Sequence, residues 1–113
     1  MLEPIIIKEK VSKEEFVKLA GINSWEGIVK LVVDVEKEIL SIGCELHIDC
    51  MERLLADNSH PKNLWGANIY PADKKIDFVS LINIRPADNN RSMEIKIPEI
   101  KEKVESIIKK LLF

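Results

Sequence analysis

Glu45, His47 and Asp49 alternate with Cys44, Leu46, Ile48 and Cys50 in the run CELHIDC. Strict alternation is the pattern of a β-strand, and here it stands a glutamate, a histidine and an aspartate in a row on one face. Glu45 and His47 would lie about 7 Å apart along such a strand, near enough to reach one ion or one substrate group. Asp49 precedes Glu52 at the spacing of a capping box, which assigns it to the start of a short helix near residues 51–56 instead. A metal would need a further donor, and only Glu36 and His60 offer themselves, so no metal site is predicted. Glu36, Glu45 and His47 remain the candidate acid/base groups.

A second constellation follows in Leu81-Ile82-Asn83-Ile84-Arg85-Pro86 and Asn89-Asn90-Arg91-Ser92. Asn83 and Arg85 have the parity of one strand face, while Asn90, Arg91 and Ser92 fall in the loop after Pro86. Guanidinium forks match phosphate and carboxylate oxygens two at a time, so this cluster suits an oxyanion. The competing use of Arg85 and Arg91 is to pair with Glu36, Glu45 or Asp88 and order the loop. On the preceding run Trp65-Gly66-Ala67-Asn68-Ile69-Tyr70, Asn68 and Tyr70 share the face opposite Trp65 and Ile69, and Gly66 leaves room for a backbone or ligand. Should Asn68, Tyr70, Asn83 and Arg85 share a face with Glu45 and His47, one polar surface would cross three strands.

The elements that must position these residues follow from pattern and punctuation. A first strand is expected from Ile5 to Lys10. Ser12 and Glu15 form a capping box for a short helix that carries Phe16, Leu19 and Ala20 inward and stops at Gly21. Ser24 caps a second, longer helix expected to run to Ile42 and close at Gly43, with Ile28, Val32, Val35 and Ile39 on its inner line and Lys30, Asp34, Lys37 and Ser41 on its wet face. Glu36 projects inside the apolar arc of that helix and needs a partner there. Leu64–Tyr70 and Ile76–Arg85 read as hairpin strands joined by residues 71–75. Pro98 opens a last helix with Ile100, Val104, Ile107, Ile108 and Leu111 on one face. The expected fold is α+β: one domain over 1–113, a small, mostly antiparallel sheet of about four strands, and helices packed on one face.

Composition limits the function classes. Of 113 residues, 46% are hydrophobic and 32% charged, which is the balance of a folded chain rather than a disordered one. With 17 basic and 19 acidic side chains the net charge is −2, so no overall field draws in nucleic acid. Ile5-Ile6-Ile7 is too short for the apolar core of a signal peptide, and no run suits a membrane span; the cytoplasm is expected. Along an extended strand six residues cover roughly 20 Å, too far for Cys44 and Cys50 to bond, so both are expected as buried free thiols of a reducing compartment. Open sheet edges make a homodimer the expected assembly.

Asp34 to Glu38, Gly43 to His47, Leu64 to Pro71, Leu81 to Pro86 and Asn90-Arg91-Ser92 together resemble an uncharacterised family of short bacterial and archaeal proteins known only as a domain of unknown function. The resemblance spans nearly the whole chain and implies a stand-alone domain with no assigned activity. A glycine is expected just before Asn90-Arg91, where Asn89 stands; asparagine tolerates the left-handed conformation better than most residues.

Three functions fit these residues. The first is a soluble binding domain for a small anionic ligand, a nucleotide or an acidic partner segment, with Asn68, Asn83, Arg85, Asn90, Arg91 and Ser92 as binding residues and the cofactor unknown. The second is a small hydrolase or phosphoryl-handling enzyme, metal-dependent or not, built on Glu36, Glu45, His47 and Arg85. The third is a structural or oligomerisation module whose polar residues are all occupied within the fold. Gly-rich phosphate loops, paired CxxC motifs, nucleophile elbows and HExxH are absent from the sequence.

Overall fold

The stretch expected as the long second helix is a β-hairpin. A computed structural model describes residues 3–23 and 27–113, and in it β2 (Val29–Asp34) turns back into β3 (Ile39–Cys44). The cap assigned to Ser24 lies outside the described residues. Asp34, fully buried, shapes the turn: its Oδ1 accepts hydrogen bonds from the backbone N–H groups of Glu36 and Lys37, each at 2.9 Å, and its Oδ2 accepts one from Ser59 Oγ at 2.6 Å. Glu38 closes the turn with a left-handed φ of 56°. The helical expectation failed because β2 and β3 are buried on both faces. A strand apolar on both sides loses its alternation and fits a helical arc equally well.

The sheet also contains β1 (Ile5–Ile7), β4 (Leu64–Tyr70) and β5 (Lys75–Asp77), in the order β1-β3-β2-β4-β5 with every pairing antiparallel. The α+β class is as expected, with five strands rather than four. One face carries Val29, Leu31, Val33, Leu40, Ile42, Trp65, Ala67 and Ile69. Against it pack α1 (Lys13–Asn23), through Phe16 and Ala20, and α3 (Pro98–Leu112), through Val104, Ile107, Ile108 and Leu111. Helices do not keep to this face. On the other side α2 (His47–Ala56) buries Cys50 and Leu54 against Val32, Ile39 and Leu64. Among the described residues no helix is long and apolar enough to cross a membrane.

The first strand starts at Ile5 as expected but ends at Ile7 rather than Lys10, and the cap of α1 forms. Ser12 Oγ accepts from the Glu15 N–H at 3.0 Å and donates to the Glu15 carboxylate at 3.3 Å, and α1 continues two residues past Gly21. At the other end, Pro98 begins α3 as foreseen.

The β4–β5 hairpin forms about the expected loop, with Tyr70 opposite Lys75 and Asn68 opposite Asp77, but β5 stops at Asp77 instead of running to Arg85. Beyond it the chain makes short 3-10 turns at Leu81–Asn83 and Pro86–Asp88. Asn83 and Arg85 are therefore not neighbours on a strand face.

Candidate functional site

A β-bulge decides what becomes of CELHIDC. Leu31 pairs with Ile42 but Lys30 pairs with Cys44, so Gly43 is the extra residue, and its φ of 92° is open to glycine without strain. Skipping one residue flips the parity of Cys44 and turns its side chain onto the α2 face. The chain bends at Glu45 and Leu46 and enters α2 at His47, so only Cys44 of the run belongs to a strand. The bend brings Cys44 and Cys50 together as a disulfide with Cα atoms 5.5 Å apart. This corrects the expectation of two free thiols, which rested on an extended chain between them.

The predicted acidic row is dispersed in the same way. Asp49 is not the cap of a helix at 51–56. Leu46 occupies the N-cap position with no side-chain cap bond, and Asp49 sits in the first turn of α2, where its charge suits the helix dipole. Glu45 is exposed in the bend, and Glu36 is exposed in the β2–β3 turn at the far end of β2. The three acid/base candidates thus do not converge, and among the described residues no three His, Cys, Asp or Glu side chains gather as a metal site.

His47 is left in a different company. Its Nε2 lies 2.9 Å from the Ala67 carbonyl oxygen, which can only accept, so the proton sits on Nε2 and Nδ1 carries the lone pair. Cys44, Lys30, Asn68 and Asp77 lie opposite one another in a row across β3, β2, β4 and β5. Asn68 Nδ2 donates to the Val79 carbonyl at 3.2 Å and reaches Asp77 Oδ2 at 3.5 Å, and the amide also hydrogen-bonds the His47 side chain. The Lys30 ammonium donates to the Glu45 carbonyl at 2.9 Å and keeps two further N–H groups.

Burial pulls the His47 pKa below its ordinary 6.5, and the Lys30 charge adds to that; the Ala67 carbonyl, the Asn68 amide and Asp77 act the other way. A base whose folded pKa is depressed is protonated first in the unfolded chain, so stability falls as pH drops below 6.5 and levels off once the native ring is protonated too. Urea unfolding between about pH 7.5 and 5 should show this slope, and His47→Gln should remove it. An imidazole signal that titrates at or above its ordinary value would contradict the burial.

The second constellation proves to be structural. Asn83 is fully buried: its Oδ1 accepts from the Gly66 N–H at 2.8 Å, and its Nδ2 donates to the Gly66 and Met93 carbonyls at 3.0 Å each. One carboxamide thus serves a strand residue as a peptide group would, at a point on β4 that the short β5 does not reach. Asn90, also fully buried, donates to the carbonyls of Asn83, Ser92 and Glu94 and accepts from the Lys96 N–H. Arg85 lays its guanidinium 3.7 Å from the centre of the Trp65 ring and donates to the carbonyls of Pro61, Lys62 and Leu64. None of Glu36, Glu45 and Asp88 bonds to it, although Asp88 is close enough to oppose the lowering of its pKa by burial. Ser92 Oγ accepts from the Glu94 N–H at 3.1 Å, and Arg91 is exposed. Asn89 takes the left-handed conformation expected of it, with φ 61°.

Of the predicted binding residues, Asn68 alone joins His47. Sequence reasoning missed Lys30 and Asp77, because Lys30 was placed on a helix and Asp77 had no register; the bulge glycine was the signal that could have found them. A cleft lies beside Cys44 of the disulfide. It measures about 560 Å³ and is lined by Cys44, Glu3, Glu45, Asp49, Glu52 and Arg53 among others.

No curated protein and no solved structure matches this chain at a significant level. A model of the family described as Protein of unknown function (DUF5674) matches residues 5–111, and the chain belongs to that family.

Proposed function

We propose that this protein is a binding domain for a small ligand bearing an anionic group, held on the polar row of the sheet by Lys30, His47 and Asn68. The observation that carries the proposal is the Lys30 ammonium, with two N–H groups to spare, beside the half-buried His47 and the Asn68 amide. His47 and Asn68 offer hydrogen-bonding groups and Lys30 the charge for the anionic end. The proposal moves the anion from Arg85, whose terminal N–H groups already meet three carbonyls and whose plane rests on Trp65. Catalysis by Glu36, Glu45 and His47 finds less support, since the two glutamates stand away from the ring on exposed turns.

NMR titration with phosphate, nucleotides, amino acids and dicarboxylates tests the site. The expected result is saturable shifts at the His47 ring and the Asn68 side-chain amide that disappear in Asn68→Ala. Shifts confined to Arg91 and Ser92, or none with any class, would overturn it. We propose in addition a cytoplasmic homodimer. Support for the pairing comes from β1, an outer strand of the sheet whose Ile5 is 44% exposed. Light scattering that returns a concentration-independent monomer would end that part of the proposal.

A further inference from the structure

The two cysteines of the disulfide sit at different depths. Cys50, the fourth residue of α2, is fully buried, whereas Cys44 is 7% exposed and lines the cleft of about 560 Å³. Displacement at a disulfide needs the incoming thiolate on one sulfur and lets the other leave. Approach from the cleft reaches Cys44, and the sulfur that leaves is Cys50, whose position near the N-terminus of α2 favours a thiolate.

The cleft wall selects the attacker. Glu3, Glu45, Asp49 and Glu52 line it with only Arg53 to offset them, and among the described residues none of the four carboxylates forms an ion pair. The potential in the cleft is therefore negative, which raises the barrier for an anionic thiol and lowers it for one carrying positive charge.

We infer that Cys44–Cys50 is a thiol–disulfide exchange site whose preferred reductants are thiols bearing positive charge, entering through the acidic cleft. The reductant thiolate attacks Cys44 Sγ, a mixed disulfide forms on Cys44, the Cys44–Cys50 bond breaks, and its electron pair leaves on Cys50 Sγ, which takes a proton from water. A second thiol, from the same dithiol or another molecule, then attacks the reductant sulfur of the mixed disulfide and releases Cys44 as its thiolate. The protein gains two electrons and two thiol groups, and the reductant is oxidised to its own disulfide. None of these steps uses His47, so the inference stands apart from the ligand site.

Three two-carbon thiols of different charge provide the test: cysteamine, 2-mercaptoethanol and 2-mercaptoethanesulfonate, compared at equal thiolate concentration on the folded protein, each rate divided by that of the same thiol with a small neutral disulfide. The expected rates are first order in thiol and fall in that order, with about a tenfold spread at low salt that collapses near 1 M salt. Acid-trapped adducts should map to Cys44. Glu45→Gln with Glu52→Gln should narrow the spread by speeding 2-mercaptoethanesulfonate most, 2-mercaptoethanol less and cysteamine least. The inference is overturned by a rate that equals the global unfolding rate whatever the thiol, by no dependence on charge or a reversed one, by adducts on Cys50, or by two free thiols in the air-oxidised protein.

Discussion

Asn83→Ala should unfold about 15 °C below the wild type, a loss of about 4 kcal/mol for a domain of this size. The side chain is fully buried and serves the Gly66 N–H, the Gly66 carbonyl and the Met93 carbonyl. Truncation orphans all three in the interior, where each unsatisfied group costs about 1–3 kcal/mol, partly relieved by water entering the space. Asn83→Asp separates hydrogen bonding from volume. Its carboxylate still accepts from Gly66 but faces two carbonyls, so this variant should be crippled at neutral pH and partly recover in mild acid, where a protonated carboxyl donates again. Thermal melts across pH read both effects. An alanine variant that melts within a degree or two of wild type would mean that Asn83 does not hold the 78–95 segment to β4.

Gly66→Ala should cost about 3 kcal/mol, for a steric reason rather than a conformational one. A Cβ at this position would stand 2.5 Å from Ser80 Cβ, 2.7 Å from Ser80 Oγ and 3.2 Å from Ile82 Cγ1. The room that Gly66 leaves is thus filled by this chain's own loop and not by a ligand. Ser80 cannot simply withdraw, because its Oγ accepts from the Ile82 N–H at 3.3 Å and its N–H donates to the Met93 carbonyl at 3.0 Å. Ser80→Gly removes the clashing Cβ, so the double variant should be more stable than the sum of the two single losses, with a coupling of about 1–3 kcal/mol by urea unfolding. Strict additivity would show that the strain is relieved elsewhere.

Both variants act on motifs with an obvious chemical interpretation. Asn83, Arg85 and Asn90 look like a site in the sequence because amides and guanidinium groups are what a site uses. They are equally what a chain uses to satisfy backbone groups once it leaves a sheet without forming a strand. Arg85 illustrates the difference: nothing in its neighbours along the chain announces that three carbonyls from residues 61–64 will converge on it.

Where local chemistry was enough, the sequence determined the outcome by itself. The Ser12 cap, Pro98 at the start of α3, the β4–β5 turn and the left-handed Asn89 each depend on a few adjacent residues, and each is found where the pattern put it. The α+β class was legible for the same reason. Tertiary structure alone decided the central hairpin, since burial on both faces erased the alternation that marks a strand. It alone decided CELHIDC as well: one extra residue at Gly43 and a bend at Glu45 turned a predicted row of ligands into a disulfide, a helix start and a single half-buried histidine. Parity arguments assume an unbroken strand, and a bulge resets parity at a point that only the partner strand fixes. Lys30, Asn68 and Asp77 lie 38 and 9 residues apart along the chain, and only the sheet register could bring them into one row beside His47.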